Sequence, residues 1–177
     1  MKKIIMVNGI IAGLIVSTMM VVSTYHCQST GDFENGMIYG YTSMIVAFSM
    51  VFVGVKTFRD KYHAGTISFG KAFKVGIIIT LVASTFYVVT WLIVNYFFMQ
   101  DFGEVYTTHM LNKLKASGAG QAEIAAKTAE LMQFNEMYKN PFFKVVMTYL
   151  EILPVGLVIT LISAAVLKRK KTQRQTA

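Results

Sequence analysis

The chain has 177 residues and a formal net charge of +8; 54% of its residues are hydrophobic and 15% are charged. A soluble domain carries about 25% charged residues to solvate its surface, so an ordinary water-soluble core is excluded and a bilayer has to hide the apolar surface. The single cysteine, Cys27, excludes an intrachain disulfide and a cysteine-pair metal site.

The first apolar block covers 4–24 and follows Lys2 and Lys3. It is longer than the apolar region of about 7–15 residues in a secretory signal. Tyr25 and His26 also stand where a lipoprotein signal would place small residues before its cysteine. The block is therefore expected to remain as an uncleaved span. Within it Gly9, Gly13 and Ser17 put a small residue every four positions. That stripe lets helices approach closely, inside the chain or between two copies of it.

A turn-rich stretch, Gln28-Ser29-Thr30-Gly31 and Asn35-Gly36, precedes the second block at 37–55. The following loop contains Gly65-Thr66-Ile67-Ser68-Phe69-Gly70-Lys71-Ala72, which comes close to a phosphate-binding loop. Ala72 replaces the Ser or Thr that would hold magnesium, and no buried strand precedes it. An interfacial loop that sets Lys71 and Lys74 among lipid phosphates is the expected role.

The third block covers 75–99, which at about 1.5 Å per residue exceeds the hydrocarbon core and implies tilt or protrusion. A polar segment at 100–140 follows. It reads as two amphipathic helices, 104–116 and 121–138, broken at Ser117-Gly118-Ala119-Gly120. Asn140 precedes Pro141 and is pushed out of helical geometry, while Pro141 suits the first turn of the next helix. The fourth block, 142–167, stops at a basic tail, 168–177.

Lysine and arginine fix the expected orientation, because cytoplasmic loops carry the excess. Twelve lie at the termini and in the second loop: Lys2, Lys3, Lys56, Arg59, Lys61, Lys71, Lys74, Lys168, Arg169, Lys170, Lys171 and Arg174. Five lie on the other side, with seven of the nine acidic residues. The expected fold is thus an all-α integral membrane protein with four transmembrane helices. Its termini are cytoplasmic, and a periplasmic two-helix hairpin joins the third and fourth spans. The positive charge marks topology and an anchor on anionic lipid headgroups, and nucleic acid is not an expected partner. Trp91, Tyr96, Phe97, Phe98, Phe142 and Phe143 gather at the outer boundary, where amphipathic rings settle.

Four stretches carry a resemblance: Gly40-Tyr41-Thr42-Ser43-Met44; Phe58-Arg59-Asp60 through Gly65 to Phe73; Tyr138-Lys139-Asn140-Pro141; and Glu151-Ile152-Leu153-Pro154-Val155-Gly156. Together they make the chain resemble a bacterial membrane family, domain-of-unknown-function family 4199, over almost its whole length. The resemblance implies a four-span inner-membrane protein and brings no catalytic residues with it.

Glu151 is the sharpest chemical feature. It lies about 13 Å below the outer boundary of the fourth span at 1.5 Å per residue. A central acidic residue there costs about 2.5–3.5 kcal/mol even on permissive insertion scales. It is expected to face the bundle, paired or protonated. Pro154 frees a carbonyl nearby, Lys144 sits two turns earlier on the same face, and Thr148 and Asn95 are further polar candidates. Glu151 is read either as a proton- or cation-linked site or as a buried hydrogen bond that locks packing.

His26 and His109 are expected outside and His63 inside, so the three histidines share no site. No nucleophile-elbow context is present. Neither enzymatic activity nor a cofactor nor a metal is expected. The leading expectation is an accessory or scaffold protein contacting lipids, an envelope partner or its own copies; the alternative is an oligomeric transporter or channel subunit coupled through Glu151.

Overall fold

Helix length here is set by two terms: the apolar block, and how far backbone hydrogen bonding continues once the chain leaves hydrocarbon. The computed structural model describes residues 2–31 and 33–169. Asp32 and the tail residues Lys170, Lys171 and Arg174 lie outside the described residues. Among the described residues six helices follow in chain order: α1 Lys2–Thr30, α2 Phe33–Tyr62, α3 Phe69–Phe97, α4 Phe102–Ala116, α5 Gln121–Tyr138 and α6 Pro141–Leu167.

Four of them, α1, α2, α3 and α6, are long and apolar enough to cross a membrane. They outrun the apolar blocks, because polar ends keep their backbone bonds by staying helical once in water. Asn35 and Gly36 accordingly belong to α2, and the turn between α1 and α2 is made at Gly31, with φ of +71°. This is the left-handed conformation that ends helices on glycine. Asn140 caps α6 by accepting a 2.9 Å hydrogen bond from the Phe142 amide, and Pro141 stands at its start.

The α1 helix packs on α2 and α3, and α6 packs on α3 and α2, so α1 and α6 occupy opposite corners of the bundle. Small residues set the spacing. A Cβ on Gly9 would come within 2.7 Å of Val82, and one on Gly13 within 2.7 Å of Phe86, so both face α3. Ser17, one turn on, is buried at 6% exposure. The outside of the bundle carries Leu14, Val22, Ile45, Ile93, Ile162 and Val166 in the open. An apolar belt of this extent is what a lipid-facing surface requires.

At one end lie the start of α1, the α2–α3 loop and the end of α6. There Ile67 and Arg169 exchange two backbone hydrogen bonds, 3.1 and 2.9 Å, clipping the loop to the end of α6. At the other end α4 and α5 form a hairpin. Asn135 joins them, donating to the Gly103 carbonyl at 3.3 Å and to Thr107 Oγ1 at 2.9 Å. The hairpin lies down on the bundle. Trp91 Nε1 donates to the Tyr138 hydroxyl at 2.7 Å, and the Trp91 and Phe102 rings meet edge to face at 5.4 Å.

Candidate functional site

The polar side chains of α3 recur at positions 80, 84, 87, 91 and 95, a spacing of three or four that places them on one helix face. That face meets α6. Nearest the termini, the hydroxyls of Thr80 and Thr160 pair at 2.9 Å, and Thr80 also donates to the Gly156 carbonyl at 3.4 Å. One turn on, Ser84 is fully buried and its hydroxyl has no hydrogen-bond partner. Next, the Tyr87 hydroxyl donates to Glu151 Oε1 at 3.2 Å. Then comes the Trp91–Tyr138 bond. At the hairpin end Lys144 Nζ donates to Asn95 Oδ1, while Asn95 Nδ2 donates to the Met99 carbonyl at 2.9 Å.

Glu151, Thr148, Lys144 and Asn95 therefore all stand at the α3–α6 interface, but in two groups. Lys144 turns toward the hairpin and lies 5.2 Å from the centre of the Tyr138 ring, so its charge goes to Asn95 and an aromatic face rather than to Glu151. Thr148 is buried and donates back to the Lys144 carbonyl at 2.8 Å, a local bond that keeps its hydroxyl satisfied. Pro154 is exposed on the outside of α6, away from the cavity described next. The stripe of Gly9, Gly13 and Ser17 belongs to the α1–α3 contact.

Above Glu151 the bundle opens into a cavity of about 450 Å³. Its deepest level is set by Met20 on α1, Tyr41 on α2, Tyr87 on α3 and Glu151 on α6, the lining residues farthest from the hairpin on each helix. Met37 and Met147 form walls, and Phe102, Leu131, Phe134 and Tyr138 of the hairpin form a roof. Glu151 lines this space and is exposed in the bundle. Beneath it Val16, Phe48 and Ile152 are each fully buried, so the cavity is closed toward the termini.

Tyr138 is a partition. On its other face lies a polar cleft of about 580 Å³ that includes Asn95, Gln100, Glu104, Glu136, Lys139 and Lys144. Burial pushes the Tyr138 pKa above that of a free tyrosine, so the hydroxyl stays protonated and holds the bond from Trp91 as a neutral acceptor. In the cleft, Glu136 bonds Lys139 and raises the lysine's pKa.

The arrangement provides an apolar chamber with one carboxylate at its inner end, held by one phenol. Among the described residues, no three His, Cys, Asp or Glu side chains come together as a metal site would require. The Gly65–Ala72 segment follows a helix and supplies the cap and first turn of the next, with Ser68 accepting from the Lys71 amide at 3.4 Å. Sequence reasoning had Glu151 but missed Tyr87, Tyr41 and Tyr138. The available signal was Tyr87, Trp91 and Asn95 at four-residue steps on one face of α3, the first two each an apolar body with a polar tip.

Comparison with known proteins gives one match. A family model described as a protein of unknown function, DUF4199, covers residues 8–169. No curated protein and no solved structure matches the chain.

Proposed function

The chain belongs to the protein-of-unknown-function family DUF4199, and from that premise we propose a non-enzymatic accessory protein of the bacterial inner membrane that holds a small ligand beneath its hairpin. In this reading the termini and the α2–α3 loop are cytoplasmic and the hairpin is periplasmic. Lys56, Lys61 and Lys71 are exposed at the terminal end, which suits anionic headgroups of the inner leaflet. A partner in the envelope or a second copy would use the exposed faces of the hairpin.

The observation that carries this reading is the form of the cavity: roofed by the hairpin, closed below by Phe48 and Ile152, and fronted by a carboxylate. Concave, mostly apolar chambers with a few converging polar groups are the usual form of ligand sites. Gentle extraction followed by native mass spectrometry tests it. A retained small molecule, lipid or partner is expected; a bare monomer under conditions that keep other membrane complexes intact would count against it.

One observation favours a second reading, an oligomeric transporter or channel subunit coupled through Glu151. The polar seam between α3 and α6 runs from Asn95 and Lys144 to Thr80 and Thr160, and intramembrane carboxylates mark proton and ion routes in transport proteins. The unbonded Ser84 interrupts that seam, and the packing around it is closed. Proton or cation flux in proteoliposomes that is carried by the native chain and lost in Glu151→Gln would establish it; equal behaviour of the two removes its basis.

A further inference from the structure

We infer that the cavity takes a hydrophobic organic cation, with an ammonium group on Glu151 and an apolar body reaching up to the hairpin roof; this rests on the reading of the cavity as a ligand site. Among the described residues that line the cavity, Glu151 is the only charged one, and no lysine or arginine joins it. The nearest lysine on its own helix, Lys144, is engaged by Asn95 on the far side of Tyr138.

Tyr87 fills one acceptor position of the carboxylate, which has about four. A carboxylate enclosed by protein and lipid needs a countercharge or a proton, and the chamber leaves room for a cation to supply the former. The rings of Tyr41 and Tyr87 flank the same level. Aromatic faces beside a carboxylate are the surroundings in which ammonium groups are recognised.

The polarity of the chamber decides between ligand classes. A phospholipid in the hairpin-side leaflet would hold its headgroup at the surface and its chains toward the bilayer centre. This chamber is arranged the other way round. Its outer end is mainly rings and one aliphatic side chain, Phe102, Tyr106, Leu131, Phe134 and Tyr138, with the neutral Asn135 amide among them, and its charged group is at the inner end. A lipid entering from that leaflet would set acyl chain against Glu151 and headgroup against the aromatic roof. A compact molecule with one cationic end and an aromatic or alkyl body fits in the opposite sense, and about 450 Å³ lies within the usual range of about 300–1,000 Å³ for small-ligand sites.

The protein carries its own reporter. Trp91 is the sole tryptophan, and its two partners, Phe102 and Tyr138, both line the cavity. The test titrates the full chain in nanodiscs of zwitterionic lipid with (4-phenylbenzyl)trimethylammonium and, separately, with its neutral carbon isostere 4-neopentylbiphenyl. Trp91 emission is read, and concentrations are corrected for partition into empty nanodiscs. The cation is expected to give a saturable response in the native chain and to bind at least tenfold more tightly than the isostere. Glu151→Gln is expected to weaken the cation at least tenfold and to leave the isostere unchanged.

Equal affinity of cation and isostere for the native chain, or unchanged cation affinity in Glu151→Gln, overturns the inference while the cavity remains a ligand site. Absence of a saturable response to either probe overturns the cavity reading and the inference with it. If Glu151→Gln does not fold, the comparison of the two probes on the native chain decides alone.

Discussion

The Tyr87 hydroxyl and the Glu151 carboxylate meet at 3.2 Å across the α3–α6 interface; on the terminal side of that bond Val16, Phe48 and Ile152 are fully buried, while on the hairpin side the helices part around a chamber. Tyr87 and Glu151 thus mark the floor of the site. The α3–α6 contact below them is a structural clamp, and the hairpin above them is a lid held by side-chain bonds.

The clamp depends on glycine where α6 passes closest to its neighbours. A Cβ at Gly156 would press on Thr80 Cγ2 and stand 2.9 Å from Phe48 Cζ, neither of which has free space to move into. Gly156→Ala is expected to destabilise the bundle by about 1–3 kcal/mol, the usual cost of overpacking. Gly70→Ala is the control. Its Cβ meets nothing within 4 Å, and alanine in place of helical glycine gains up to about 1 kcal/mol. Denaturation in mixed micelles would order the variants.

The Thr80–Thr160 pair supplies a second test of the clamp. Thr80→Val leaves the buried Thr160 hydroxyl without this partner and is expected to cost about 1 kcal/mol, whereas Thr160→Val leaves Thr80 its bond to the Gly156 carbonyl and is expected to cost less. The double variant should cost less than the sum, with a coupling of about 0.6–1.7 kcal/mol as found for hydrogen bonds between membrane helices. A double-mutant cycle of unfolding free energies gives the number.

The lid should loosen without the bundle unfolding. Tyr138→Phe removes the acceptor for Trp91 Nε1, a loss of about 0.5–1.5 kcal/mol. Hydrogen exchange across 102–138 is expected to rise by about two- to tenfold on that basis, with α1 and α3 unchanged and the Trp91 emission shifted. Equal acceleration in the spans would mean that the hairpin and bundle open together.

Orientation can be read by labelling. In a Cys27→Ala background, Ser117→Cys at the hairpin turn is expected to react with a membrane-impermeant maleimide in intact cells. Lys61→Cys at the terminal end should react only after permeabilisation. The reverse pattern would invert the topology deduced from basic residues.

Much of the architecture was legible because hydrocarbon imposes its length on the sequence. Four apolar blocks and one polar segment became four candidate spans and a hairpin, and the four quoted motifs pointed to the family that the chain belongs to. Helix ends were less legible. The turn residues Asn35 and Gly36 lie inside α2, and α1 ends instead at Gly31 in left-handed geometry. Glu151 stood out because a lone carboxylate in an apolar block is costly. Its partner did not, because a tyrosine facing the bundle and one facing lipid look alike until the register of α3 against α6 is known. Lys144 shows the same limit: spacing along one helix offered Glu151, whereas packing between helices delivered Asn95.

The most direct measurement of a hairpin-covered chamber that ends at Glu151 is cysteine accessibility along its axis. In the Cys27→Ala background, Met147→Cys and Glu151→Cys front the cavity, while Ser84→Cys lies just below its floor in packed interior. A small thiol-reactive cation added from the hairpin side is expected to modify positions 147 and 151 and to leave position 84 untouched. Modification of position 84 as fast as position 151 would reveal a continuous path through the bundle, and protection of position 151 would mean that the chamber does not reach Glu151.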